Sequence, residues 1–415
     1  MSHAVGVART VFSGDALRES MTDMEDMESD VPVDSLDPEV LRERIAAGEP
    51  VTILDVRAPN EYEEWHIEGE SVTVANVPYY RFLDDGEGLL DSVPEGDPIV
   101  AVCAKGGASE YVAGLLKQEG LDAVNLAGGM NAWARILEAV EVSRAPGPAT
   151  VVQLQRPSSG CLSYLLVEGE AAAVIDPLRA FTERYLELAE EYGATLEAVL
   201  DTHVHADHVS GLRDLSTASG ATAYLPAPAF DRGVDYDEPV ESIADGDVVS
   251  VGEATIAAHH TPGHTSGMTS YMVDDELLCT GDGLFVESVA RPDLEEGDEG
   301  APAAARQLYD TLQEILTLPP ETLVAPGHFS DAATPAADGT YTATLSEIRD
   351  SMAVLQRDRD SFVEFILSDM PPRPSNFEEI IAINLGQRES DDEEAFELEL
   401  GPNNCAASQD ALTSD

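Results

Sequence analysis

The chain has 415 residues, 43% of them hydrophobic, which is enough for two packed cores, and a formal charge of −58 from 80 acidic against 22 basic side chains. Such a charge repels phosphate backbones and anionic lipid surfaces, which excludes nucleic acid and membranes as expected partners. The acids are spread along the chain and Lys105 and Lys117 are its only lysines, a composition that fits molar salt, where a Debye length of about 3 Å screens self-repulsion.

In chain order, residues 1–32 contain the Met- and acid-rich MTDMEDMESD and read as a mobile extension. From 33 to 145, apolar strands such as VTILDV (51–56) and PIVAVC (98–103) alternate with helical patterns such as SEYVAGLLKQEG (109–120), an α/β pattern with a largely parallel sheet. RAPGPA (144–149) is the linker candidate. A second domain, 149–335, has strands at 150–155, 171–177, 196–203, 254–264, 276–282 and 322–328, several of them ending at His or Asp. Residues 336–415 read as a C-terminal appendage with helices near 341–357 and 360–369, the segment PPRPSNFEEIIAINLG (371–386) and an acidic tail. No function is read from 1–32 or 387–415.

Cys103, Cys161, Cys279 and Cys405 form no CxxC pair, so a disulfide framework and a zinc ribbon are not expected. A reducing cytoplasm fits. Cys161 and Cys279 read as small buried hydrophobes and Cys405 as an exposed thiol. No apolar run of about 18 residues exists to span a membrane, and the first residues lack the charged and apolar regions of an export signal. The expectation is a soluble cytoplasmic protein.

Cys103 closes an apolar strand and is followed by AKGGAS and an amphipathic helix. Its sulfur is expected in a loop at a helix N-terminus, where N–H groups stabilise a thiolate or a bound anion. Lys105, two residues on, is placed to lower the thiol pKa or attract an anionic sulfur donor. The same residues also suit a buried strand-end cysteine. ILDVRAPNEYEEWHIEGE (53–70), VAVCAKGGAS (100–109) and NLAGGMNAW (125–133) follow the order and spacing of a rhodanese domain over roughly 110 residues. The resemblance implies that Cys103 accepts sulfane sulfur as a persulfide and passes it to a thiol, sulfite or cyanide. Asp55 and Arg57 match positions that organise that site and read as scaffold; His66 reads as structural. Ala108 departs from the family, many of whose members have a basic residue at this sixth loop position, which puts thiosulfate as donor in question.

THVHADH (202–208) places His203, His205, Asp207 and His208 within six residues, TPGHT adds His264, TGD adds Asp282 and APGH adds His328. Five of the nine histidines fall in these motifs, and imidazole with carboxylate suits zinc, iron or manganese. Asp176 is a candidate to orient a ligating imidazole. His260 is placed to line the site and His259 has no assigned role.

These motifs resemble the metallo-β-lactamase superfamily over about 150–335, specifically its glyoxalase II and persulfide dioxygenase branch. The resemblance implies an αββα sandwich behind the rhodanese-like parallel-sheet domain. In the hydrolases of that branch the full set holds two Zn(II), with Asp282 at the bridging position, for thioester cleavage. In the persulfide dioxygenases one Fe(II) sits at the positions of His203, His264 and Asp282, a two-His, one-carboxylate triad with open positions. FVESVARPDLE (285–295) and the C-terminal segment look more like the dioxygenases, and Arg291 is expected to hold the site loop or an anionic substrate.

The expected activity is a persulfide dioxygenase–sulfurtransferase with one Fe(II) per chain, a low-molecular-weight persulfide or thiol, O2 and sulfite as small-molecule partners, and room for homo-oligomers. The alternatives are a dizinc thioester hydrolase and a non-catalytic sulfur carrier.

Overall fold

Strand and helix follow from where the apolar side chains recur. Runs such as VTILD and IVAV are buried on both faces, the pattern of a parallel sheet covered on each side. A computed structural model describes residues 31–83, 89–145, 147–330, 333–368, 370–401 and 405–406. Most of the expected N-terminal extension and the end of the acidic tail lie outside these residues. The chain divides into two units between Ile136 and Leu137.

The first unit has β1 (Ser35–Leu36), α1 (Pro38–Ala46), β2 (Val51–Asp55), α2 (Pro59–Glu64), β3 (Val72–Asn76), β4 (Ile99–Val102), α3 (Gly107–Gln118), β5 (Ala123–Leu126) and α4 (Gly129–Trp133). Its sheet has the order β1-β5-β4-β2-β3 and every pair is parallel. Alternate residues of β2 and β4 face opposite sides. Val51, Ile53, Val100 and Val102 pack with Leu41 of α1 and with Met130 and Trp133 of α4. Leu54, Ile99 and Ala101 pack with Val112, Ala113 and Leu116 of α3. Cys103 therefore emerges at the carboxyl end of a central strand, where doubly covered sheets place ligands.

The second unit contains β6 (Glu138–Glu141), β7 (Thr150–Arg156), β8 (Cys161–Glu168), β9 (Ala171–Ile175), α5 (Thr182–Glu191), β10 (Thr195–Leu200), α6 (Leu212–Ser219), β11 (Thr222–Pro226), β12 (Val240–Ile243), β13 (Val248–Val251), β14 (Ala254–His260), β15 (Thr269–Val273), β16 (Leu277–Gly281), α7 (Gly297–Ile315), β17 (Leu323–Pro326), β18 (Ala343–Thr344), α8 (Leu345–Ser351), α9 (Arg359–Ser368), α10 (Phe377–Asn384) and α11 (Asp392–Leu398). One sheet runs β12 to β6 in reverse order and the other runs β13 to β18.

The inner faces of the two sheets meet through Val151, Tyr164, Leu166 and Leu200 against Val251, Ile256, Tyr271 and Cys279. Helices α5 and α6 cover one outer face with Tyr185, Leu188, Leu212 and Leu215. Helices α7, α8 and α9 cover the other with Leu308, Leu312, Ile348 and Phe362. The result is an αββα layering.

Two expectations need correction. The second unit begins before the RAPGPA break, because Glu138–Glu141 already pairs antiparallel with β7, Glu138 opposite Gln155 and Glu141 opposite Val152. The break is a connection inside the second unit. The helix expected over 341–357 is divided, because Ala343 and Thr344 pair with Val324 and Leu323. Thr344 then caps the short α8 in a reciprocal pair with Glu347.

Candidate active site

In the first unit the strand-to-helix loop wraps the sulfur of Cys103. Sγ accepts the Gly106 N–H at 3.1 Å, and the Ser109 hydroxyl lies 3.1 Å from Sγ and 2.7 Å from Asn125 Oδ1. The loop is fixed from behind by GGM: Met130 and Asn131 N–H groups donate to the Cys103 and Ala104 carbonyls at 2.8 and 3.0 Å. Gly129 has φ +61°, and a Cβ there would meet the Cys103 carbonyl oxygen at 2.2 Å, so only glycine permits this approach. Lys105 is exposed and Ala108 half-buried. Asp55 and Arg57 form a buried bidentate pair, and Arg57 also donates to the Trp65 carbonyl at 2.6 Å. His66 stacks on Tyr62 and bonds its carbonyl at 2.9 Å, as a structural histidine does.

In the second unit, loops after β10, β14, β16 and β17 bring together all seven residues of the His/Asp motifs, each at most 8% exposed. Hydrogen bonds on the outer side of the rings fix their tautomers. The Arg291 carbonyl can only accept, so His264 Nδ1 donates to it at 3.0 Å and Nε2 is left as an acceptor. Thr202 Oγ1 donates to Asp176 at 2.9 Å and stands 2.9 Å from His203 Nδ1, which leaves His203 Nε2 in the same state. His205 Nε2 is 3.2 Å from Asp176 Oδ1.

Five inward atoms, His203 Nε2, His205 Nδ1, His208 Nε2, His264 Nε2 and Asp282 Oδ2, are buried without a hydrogen-bond partner. Unsatisfied polar atoms at this density are costly unless a cation takes them. The donor set fits a metal. One ligand atom from each of His203, His264 and Asp282 lies within 4.8 Å of the others, and so it does for Cys161, Asp207, His208 and His328.

Charge is arranged to match. Burial pushes the Asp282 and Asp207 carboxyls up, but the imidazoles around them, His328 first for Asp282 and His208 first for Asp207, outweigh it and hold both well below the carboxylate range. Burial lowers His203 and His264, keeping them neutral. Burial also lowers His208 and His328, but Asp207 beside the first and Asp282 beside the second raise them well above the usual range. The Cys161 thiol, pushed up by burial, is brought down to about 7, chiefly by His328.

The C-terminal segment is part of this site. Asn384 donates to the His205 and His208 carbonyls at 3.0 and 2.8 Å and accepts the Ser210 N–H at 2.9 Å, clamping the HxHxDH turn. Glu399 pairs with Arg156 at 2.9 Å, both fully buried, and accepts the Val209 N–H at 3.2 Å. Arg291 is 1% exposed and donates to Asp293 and to the Pro371 and Pro372 carbonyls, so it braces the loop. Asp207 also borders a narrow crevice with Ser159, Pro374, Leu398 and Glu399.

Three sequence readings change here. Cys405 is 1% exposed, not at the surface, and lies beside Asp282 and His328. Cys161 is buried as expected but faces the metal-ligand cluster. His260 is exposed and bonds the Ser266 carbonyl, so it does not line the pocket. Asn384 and Glu399 were illegible because their partners lie more than 170 residues away; the unusual run IIAINLG was the one available signal for Asn384.

Residues 157–328 match the family model of the metallo-beta-lactamase superfamily, and residues 37–136 match that of the rhodanese-like domain. The chain joins a rhodanese-like domain to a metallo-beta-lactamase domain. It is 28% identical over 258 residues to the mitochondrial persulfide dioxygenase ETHE1 of Mus musculus, covering 59% of this chain and 90% of that protein. It is 35% identical over 161 residues to a hydroxyacylglutathione hydrolase of Rhodospirillum rubrum, covering 38% of this chain and 57% of that one. Among solved structures, a metallo-beta-lactamase of Staphylococcus aureus aligns with a TM-score of 0.53 at 27% identity, over 58% of this chain and 73% of that one. The metallo-beta-lactamase domain carries the donor groups of a metal-dependent enzyme. Among the described residues no helix is long and apolar enough to cross a membrane.

Proposed function

We propose that the protein is a persulfide dioxygenase–sulfurtransferase. The observation that carries this reading is the cluster of His203, His264 and Asp282, two imidazoles and one carboxylate with unpartnered inward atoms, on the same chain as a sulfur-cradling cysteine loop. These three residues would hold one Fe(II), which when bound supplies open positions for O2 and a persulfide sulfur. In the net reaction a persulfide RSSH, one O2 and one water give the thiol RSH and sulfite.

The side chains of this domain prepare that reaction in stated ways. His203 and His264 are kept neutral, with Nε2 lone pairs inward, by Thr202 and the Arg291 carbonyl. Asp282 stays ionised through its neighbouring imidazoles. His205 and Asp176 support the turn that carries His203, while Asn384 and Glu399 hold the HxHxDH backbone.

At the other site the Cys103 thiolate attacks the outer sulfur of a persulfide, the S–S bond breaks, and RSH leaves with the proton, forming Cys103 persulfide. The Gly106 N–H and the Ser109 hydroxyl are placed to stabilise the anionic sulfur. Transfer of that outer sulfur to sulfite would give thiosulfate and restore the thiol.

Asp207, His208 and His328 complete a second donor set, and this specific feature favours a second reading as a dizinc thioester hydrolase of the hydroxyacylglutathione hydrolase type. Anaerobic purification, metal analysis and O2 uptake at high salt separate the two. About one iron per chain with persulfide-dependent O2 consumption supports the dioxygenase; two zincs with thioester cleavage and no O2 uptake overturns it.

A further inference from the structure

Asn125 is the one polar residue in the neighbouring strands β4 and β5, whose other residues are all apolar. It is 4% exposed, and its main-chain N–H is already donated to the Asp34 carbonyl at 2.9 Å. An amide buried in a parallel sheet costs stability unless its side chain is matched. The match is Ser109, fully buried in the first turn of α3, whose Oγ lies 2.7 Å from Asn125 Oδ1.

The Ser109 hydroxyl has one proton and three acceptors around it. Asn125 Oδ1 is at 2.7 Å, and the Gly106 carbonyl oxygen and Cys103 Sγ are each at 3.1 Å. The shortest of these is an ordinary O–H···O distance, so in the uncharged loop the proton rests on Asn125. Sγ then keeps the Gly106 N–H as its donor. An anionic sulfur accepts a charge-assisted bond about twice as strong as a neutral one. That draws the proton across by rotation about the Ser109 Cβ–Oγ bond alone.

We propose that Asn125 is a positioning residue for sulfur transfer, holding the Ser109 proton off Cys103 while its sulfur is a nucleophile and yielding it when that sulfur becomes a leaving group. The proposal rests on the sulfurtransferase half of the reading above. In loading, Sγ attacks the outer sulfur of RSSH with a lone pair that a donated proton would blunt. In unloading, cyanide or sulfite attacks the outer sulfur, the S–S bond breaks and the electron pair returns to Sγ. The Ser109 hydroxyl then donates to the returning charge, and the proton of the persulfide ends on the Cys103 thiol. Cys103 persulfide and cyanide thus give the Cys103 thiol and thiocyanate. The Gly106 N–H is a backbone donor present in both steps, whereas a hydroxyl can turn between them.

The test uses the full chain at high salt and two readouts. One is thiocyanate release when chain loaded from cysteine persulfide and freed of excess donor is mixed with cyanide. The other is alkylation of Cys103 by iodoacetamide at its alkaline plateau, followed by mass spectrometry of the Cys103 peptide. Ser109→Ala should slow thiocyanate release about tenfold or more, the loss of a hydrogen bond to a charged group, and speed alkylation about twofold. Asn125→Val should do the opposite, speeding release about threefold and slowing alkylation about twofold. Ser109→Ala leaves Asn125 Oδ1 unmatched in the core; should it not fold, Ser109→Ala with Asn125→Val removes both partners together and should show the slow release of the serine loss. Effects of the two single variants in the same direction, or an Asn125→Val effect that persists without the Ser109 hydroxyl, overturn the proposal. If Cys103 takes up no sulfur from the persulfide, the sulfurtransferase reading fails, while alkylation still decides whether Asn125 governs the Ser109 proton.

Discussion

The Cys103 loop and the metal pocket solve the same problem, holding reactive groups in a buried place, by opposite means. The sulfur of Cys103 is wrapped mainly by residues 103–109, with the Gly106 N–H and the Ser109 hydroxyl of its own loop and support from the nearby GGM turn. The metal pocket is assembled from loops after four strands and is locked by Asn384 and Glu399, far along the chain. A local site is specified by backbone conformation, so its key requirements are glycines. A dispersed site needs a folded domain, buried ion pairs and a C-terminal clamp. The two should therefore fail differently.

The largest separation is expected from Arg156→Ala, which leaves Glu399 buried without its cation. Breaking such a pair costs about 3–5 kcal/mol, and chemical denaturation at high salt should show this loss in the metal domain while sulfur transfer by Cys103 persists. A loss under about 1 kcal/mol would mean that the C-terminal segment contributes little to the pocket.

His264→Ala should lower persulfide-dependent O2 uptake at least about a hundredfold and leave persulfide-to-cyanide sulfur transfer within about twofold. Cys103→Ser should do the reverse. Parallel losses of both activities in either variant would contradict two separate centres.

Asn384→Ala removes the amide that satisfies two carbonyls and one N–H of the HxHxDH turn. It should weaken iron binding about tenfold, read by chelator competition, with no change at Cys103.

Metal uptake should also depend on pH. His208 and His328 hold protons above the ordinary imidazole range, so a metal bound there must displace them. Affinity should fall as pH falls, by about tenfold per pH unit for each proton released. Calorimetry in buffers of different ionisation enthalpy counts those protons, and a count of zero would mean that these two imidazoles are not ligands.

The smallest effect is expected from Ala108→Arg. A cation at this half-buried loop position should raise the rate with thiosulfate as donor about fivefold, near the 1 kcal/mol of a partly screened charge. An unchanged rate would show that Ala108 does not set donor choice.

The sequence by itself determined the two-part α/β organisation, the Cys103 loop and the seven His and Asp residues of the pocket, because their motifs are contiguous and their spacing follows strand ends. Ala108 was equally legible as a departure. Tertiary structure alone decided the rest. Strand pairing drew residues 138–141 into the second unit, across the Pro/Gly break that marked a boundary by composition. The bridge between β8 and the His328 loop turned Cys161 from a filler of the core into a neighbour of Asp207. Docking of the C-terminal segment buried Cys405 and placed Asn384 on the metal-binding turn. In each case the partners are far apart in the chain, and local pattern carries no record of a contact that only the packed fold creates.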